Sequence, residues 1–233
     1  MYYITWIKAI LVPVFLFAVV IHEYAHGWVA ERCGDPTARL SGRLTLNPIP
    51  HIDLMGTIIL PLMLIMMKSP FIFGWAKPVP IDFRRFRNPK QDIIRVGLAG
   101  PLSNIILAIL CAFLLRAGVG RIRTLDFSNL GLINILGIFL VFSVFINIIL
   151  AVFNMIPIPP LDGSRVITGL LPPQAAYSYS KLEPFGFLII LALFFLGLFQ
   201  ILWIIVMLLA QPLLGTELWQ IALNILKVIL LRT

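Results

Sequence analysis

His22, Glu23 and His26 place three ionisable side chains within five residues, at the end of a run, Ile4 to Val29, that is otherwise apolar apart from Lys8. If that run is helical, the two histidines lie one turn apart on one face, as two ligands of a tetrahedral zinc must. Glu23 is turned about 100° from His22, close enough to hold a water beside the metal and take its proton. Zinc at such a site makes hydroxide available near neutral pH and polarises a carbonyl oxygen, which is the chemistry of amide hydrolysis. Burying these groups in a bilayer costs several kcal/mol unless they are paired or metallated. A helix end protruding into water would carry them cheaply.

Two histidines leave a zinc one protein ligand short. His26 is followed by Gly27, Trp28 and Val29, so the motif has no third histidine downstream, and the chain has three histidines in all. The third ligand is then His51 or a distant carboxylate, and Asp162 is the stronger candidate. It follows Asn154-Met-Ile-Pro157-Ile-Pro159-Pro160-Leu161, where the prolines stop a helix and Gly163 permits a sharp turn. Unwound chain at membrane depth is tolerated where protein or a cavity surrounds it. His51, beside Asp53, is a candidate cleft residue or a helix-start residue. Asn154, an amide at the end of a span, is a candidate for holding substrate main chain or for an interhelical hydrogen bond.

The elements that must position these groups follow from composition. Of 233 residues, 60% are hydrophobic and 12% charged, and the mean hydropathy is +1.01. Soluble proteins carry about twice that charge, so a water-soluble fold is excluded and an all-α polytopic membrane protein is expected. Clear spans are Ile4–Val29, Ile93–Leu115, Leu130–Ile156 and Phe185–Ala210, within a total of about four to six transmembrane helices. In 216–231, Glu217, Gln220, Asn224 and Lys227 recur on one helical face, which predicts a helix lying in the interface or a weak further span. Polar–apolar alternation over Arg39–Leu46 predicts a short strand region near the site. The net charge of +8 is read as cytoplasmic topology signals, not as a nucleic-acid surface. Cys33 and Cys111 suggest no disulfide framework.

The histidines and Asp162 constrain topology further. Both must reach one side, so the first span runs inward, Ile93–Leu115 returns outward and Leu130–Ile156 comes back in. Leu54–Met67 then cannot cross, and a re-entrant or surface-lying segment is expected. Charge agrees: Lys68, Lys77, Arg84, Arg85, Arg87, Lys90 and Arg95 all stay inside, against Arg116, Arg121 and Arg123 outside.

These residues resemble the site-2 protease family of intramembrane zinc metalloproteases. The matching blocks are HEYAH at 22–26, GRLTLNPIPHIDLMGTIILP at 42–61, GWAKPVPID at 74–82, AGPLSN at 99–104 and NMIPIPPLDG at 154–163, and they look like the compact prokaryotic branch without a PDZ domain. The resemblance implies one zinc per chain held by His22, His26 and Asp162, with Glu23 activating water and Asn154 near the scissile peptide. It covers residues 1 to about 170 and implies transmembrane protein substrates; the whole chain, 1–233, is expected to form a single membrane-embedded domain. The catalytic core would cover about 1–170 and C-terminal helices about 183–233. The expected location is a prokaryotic inner membrane, with the site near the cytoplasmic side. Oligomeric state is left open. One departure is Ser164, where the family usually has a second glycine; another is that no gap between spans could hold a PDZ domain. The competing readings are a zinc peptidase acting on non-helical or lipidated peptides, and a metal transporter or sensor, which would have no use for Glu23.

Overall fold

The computed structural model describes residues 2–67, 74–118 and 131–231. Lys68, Arg121 and Arg123 lie outside the described residues. Three long helices form the frame: α1 (Tyr2–Arg32), α4 (Pro89–Gly118) and α5 (Leu132–Asn154), with the short α2 (Thr37–Leu40) and α3 (Leu60–Met66) between the first two. After α5 come α6 (Asp162–Leu170), α7 (Pro173–Ser180), α8 (Gly186–Phe195) and α9 (Leu198–Leu231). Five stretches are long and apolar enough to cross a bilayer: Ile10–Arg32, Pro89–Gly118, Leu132–Asn154, Pro173–Phe195 and Leu198–Leu223. The chain is an integral multi-pass membrane protein.

The core lies where α1, α4, α5 and α9 meet. Val14, Leu107, Ala108, Cys111, Ala112, Val141, Val144, Phe145, Ile148, Ala210 and Leu214 form one buried cluster. Small residues at the crossings let backbones approach, which is how helices associate where lipid is as apolar as leucine. Over half of α5 is buried (56%) but only 6% of Pro173–Phe195, so α5 is the central post and α7–α8 a peripheral layer.

Three sequence expectations are corrected. Arg39–Leu46 contains no strand, nor do the other described residues. Asp35 Oδ1 accepts the Thr37 N–H at 3.0 Å and starts the turn of α2 instead, and Gly42 at φ 68° then reverses the chain. The expected span Phe185–Ala210 is broken: α8 stops at Phe195 and Gly197, at φ 94°, separates it from α9. Residues 216–231 are not a detached surface helix but the continuation of α9 past a kink at Gly215. Leu218 and Ala222 pack into the core while Glu217 and Gln220 stay exposed.

Leu54–Ile59 is a π-helical turn, capped by Asp53 accepting the Gly56 N–H, and runs into α3. These 13 residues reach about 20 Å at 1.5 Å per residue, short of the ~30 Å hydrocarbon core. The chain also comes back to where it left: the Trp75 N–H donates to the Gly56 carbonyl at 3.2 Å, and Thr57 Oγ1 donates to the Trp75 carbonyl at 2.8 Å. The start of the element and the chain beyond it therefore meet at Gly56 and Trp75, the arrangement expected of a segment that does not cross.

Candidate metal centre

α1 presents His22 and His26 to the N-terminal half of α4 and to the start of α6. The ligand atoms form a tight triangle: His22 Nε2 and His26 Nε2 are 3.0 Å apart, and each is 3.1 Å from Asp162 Oδ2. A tetrahedral ion with bonds of about 2.0–2.1 Å needs ligand atoms about 3.3 Å apart, so the set is of the right size. His22, His26 and Asp162 are 6%, 3% and 5% exposed, so water does not screen them.

Hydrogen-bond partners fix which nitrogens carry protons. The Ser143 carbonyl accepts from Asn147 Nδ2 at 2.8 Å, so Asn147 Oδ1 faces Asn104 and accepts from its Nδ2 at 2.7 Å. Asn104 Nδ2 also donates to the Ala18 carbonyl at 3.2 Å. Asn104 Oδ1 is then the acceptor facing His22, 2.5 Å from Nδ1. His22 therefore carries its proton on Nδ1. His26 Nδ1 likewise donates to the Val96 carbonyl, at 2.7 Å. Both Nε2 lone pairs and a carboxylate oxygen thus converge with no hydrogen required between them, an arrangement that repels itself unless a cation is present. The donor set fits zinc.

Local sequence explains the convergence. Gly100 of α4 lies against the histidines: a Cβ there would sit 2.6 Å from His22 Nε2. Past α5, Pro157, Pro159 and Pro160 prevent helix continuation, and Asp162 opens α6. A Cβ on Gly163 would press into the Met155 and Ile156 carbonyls, so the aspartate's neighbour has to be glycine. Ser164 fits where a second glycine is usual because its Oγ donates to the Leu161 carbonyl at 2.6 Å. Arg165 Nη1 lies 3.3 Å from Asp162 Oδ1, holding the oxygen that faces away from the histidines.

Glu23 is held by a segment distant in sequence: its Oε2 accepts the Val79 N–H at 2.7 Å. Val79 belongs to a stretch without helix or strand, 74–82, anchored at its end where the Asp82 N–H donates to Asp35 Oδ2. Hydrogen bonds from Arg84 and Arg85 hold the half-buried Asp82 carboxyl down to about 2.

The other two sequence candidates lie outside the triangle. His51 is fully buried, with Nε2 donating to the Thr45 carbonyl at 2.9 Å. Among the described residues the converging group of possible ligands is His22, His26 and Asp162, without His51. Asn154 ends α5 with its Nδ2 donating to the Leu150 carbonyl at 3.0 Å. Asn104, Asn147, Gly100, Arg165 and Val79 were not singled out from sequence. Asn104 and Asn147 had a readable signal, being amides in the middle of apolar spans, where an unpaired polar group is costly.

A helical, multi-pass membrane protein with a buried His-His-carboxylate centre beside a glutamate defines a class, the zinc metalloproteases built inside a membrane bundle. The chain belongs to peptidase family M50, the family of the site-2 proteases, whose model matches residues 10–197. It is 39% identical over 198 residues to the "Putative zinc metalloprotease YwhC" of Bacillus subtilis (strain 168), covering 83% of this chain and 84% of that protein. The similarly described Rip2 of Mycolicibacterium smegmatis is 29% identical over 178 residues, 76% of this chain and 63% of that protein. "Zinc metalloprotease MJ0392" of Methanocaldococcus jannaschii is 26% identical over 174 residues, 74% of this chain and 37% of that protein. No solved structure matches. The chain is a zinc metalloprotease with Zn²⁺ as its cofactor.

Proposed function

We propose that this protein is an intramembrane endopeptidase, hydrolysing peptide bonds in or near transmembrane segments of membrane proteins within one domain spanning 1–233. The observation that carries the reading is the burial of the converging His22, His26 and Asp162 atoms between membrane-spanning helices, next to Glu23. A peptide can reach such a centre from the bilayer or along one membrane surface, and its backbone must unwind before its carbonyl is exposed.

His22, His26 and Asp162 would hold the zinc. When bound, zinc supplies the Lewis acidity that makes water nucleophilic near neutral pH and polarises the scissile carbonyl. Asn104 and the Val96 carbonyl keep each histidine's proton on Nδ1, so both Nε2 atoms stay available. Glu23 takes a proton from the attacking water as the C–O bond forms, then delivers it to the leaving nitrogen as the C–N bond breaks. The apolar walls of α1, α4 and α5 exclude bulk water, which strengthens each of these interactions. Basic residues on 77–95 support a cytoplasmic location for the site in a prokaryotic inner membrane.

The test is Glu23→Gln in detergent or nanodiscs, measured on a model single-span peptide that the wild type cleaves. Zinc should remain at one per chain while cleavage falls by at least 10²-fold, the usual share of general acid–base catalysis. Wild-type cleavage by Glu23→Gln would refute the role of Glu23. Cleavage of unstructured soluble peptides, with transmembrane peptides left intact, would refute the intramembrane reading.

A further inference from the structure

The stretch 77–79 has four backbone polar groups between the Lys77 and Val79 amides, because Pro78 carries no N–H, and all four are bonded. The Lys77 N–H donates to the His51 carbonyl at 2.9 Å. The Lys77 and Pro78 carbonyls both accept from one nitrogen, Arg43 Nη2, at 2.7 and 3.2 Å. The Val79 N–H donates to Glu23 Oε2. Pro78 and Pro80 flank Val79, which restricts the strap to extended backbone and leaves it little freedom. The Nε of Arg43 is shut away from solvent without a partner, an arrangement that costs stability and is kept although the guanidinium binds through Nη2.

We propose that Arg43 is a positioning residue for Glu23, acting through the backbone of Lys77–Val79: by gripping two successive carbonyls it sets the Val79 N–H that orients the glutamate. The inference rests on Glu23 being the base. Fixing Oε2 on a backbone donor leaves Oε1 free to take the proton of the attacking water, in a rotamer set before substrate arrives. Arg43 touches neither the metal ligands nor Glu23 itself, so its loss moves the base without emptying the site. A loosely held base costs rate and not substrate affinity, and a misplacement near 1 Å is worth on the order of 10² in rate.

The experiment compares wild type, Arg43→Ala, Arg43→Lys, Val79→Pro and Val79→Ala in nanodiscs. It reads zinc per chain, kcat and KM on the same single-span peptide, and amide hydrogen exchange over 74–82. Arg43→Ala should keep one zinc, lower kcat ten- to a hundredfold with KM within about twofold, and speed exchange in the strap. Because one nitrogen serves both carbonyls, a lysine ammonium can replace it, and Arg43→Lys should recover most of the rate. Val79→Pro removes the donor without touching Arg43 and should fall at least tenfold below Val79→Ala in kcat; this pair decides the matter alone if Arg43→Ala does not accumulate. An unchanged kcat in Arg43→Ala, a loss confined to KM, or equal rates for Val79→Pro and Val79→Ala would overturn the proposal. Failure of Glu23→Gln to reduce cleavage would instead overturn the assignment of the base.

Discussion

Replacing Asn104 by alanine tests the reading of the metal centre at its most informative point. Asn104 is fully buried; its Oδ1 accepts from His22 and its Nδ2 donates to Asn147 and Ala18. Truncation leaves the His22 Nδ1–H and Asn147 Oδ1 without their partner. In a soluble core two such orphans would cost about 1–3 kcal/mol each. Interhelical hydrogen bonds in bilayers average only about 0.6 kcal/mol, so the loss of stability should be about 1–2 kcal/mol and the fold should survive. The effect on the metal is larger. Removing the partner of a ligating histidine costs 10- to 100-fold in affinity, or about 1.4–2.8 kcal/mol, because the ring then loses its fixed tautomer and orientation. Asn147→Ala provides the contrast: it removes a hydrogen bond of similar quality one step further from His22, so it should destabilise comparably while changing zinc affinity by less than about threefold. Competition with a chelator of known affinity, in nanodiscs, measures the first quantity, and thermal unfolding of the metal-loaded proteins the second. Wild-type zinc affinity in Asn104→Ala, or an equal loss in both variants, would refute the claim that Asn104 sets the His22 tautomer.

Gly100→Ala should fold but hold well below one zinc per chain, because its Cβ would sit 2.6 Å from His22 Nε2; stoichiometric zinc by elemental analysis would contradict the close packing of α4 on the histidines. Asp162→Ala should lose zinc, whereas His51→Ala should retain it, since His51 lies outside the converging group of ligand atoms; the reverse pattern would move the third-ligand role to His51. Cysteines placed singly at Ser41 and Arg87, with Cys33 and Cys111 removed, should both label from the cytoplasmic face. Labelling from opposite faces would make 54–74 a crossing segment.

What sequence by itself determined is what composition and short spacing can carry. An apolar content of 60% forces a helical membrane fold because backbone groups in lipid must be satisfied within each span. The four-residue step from His22 to His26 puts both on one face of α1 whatever surrounds it. Even the shortness of 54–67 was legible, since its helical residues fall short of the bilayer thickness. Asp162 was reachable by counting histidines and noting where prolines unwind a span. Local pattern misled at Arg39–Leu46, where the Asp35 turn outcompeted the alternation, and at Phe185–Ala210, where hydropathy runs on through a helix break at Gly197 that only backbone angles reveal. Tertiary structure alone decided which partners complete the centre. The Asn104–Asn147 chain, the Gly100 contact and the Val79 donor join residues 43 to 82 positions apart in sequence. Interactions at that separation depend on how α1, α4 and α5 cross and on where the 74–82 strap returns, and no periodicity within one segment encodes them.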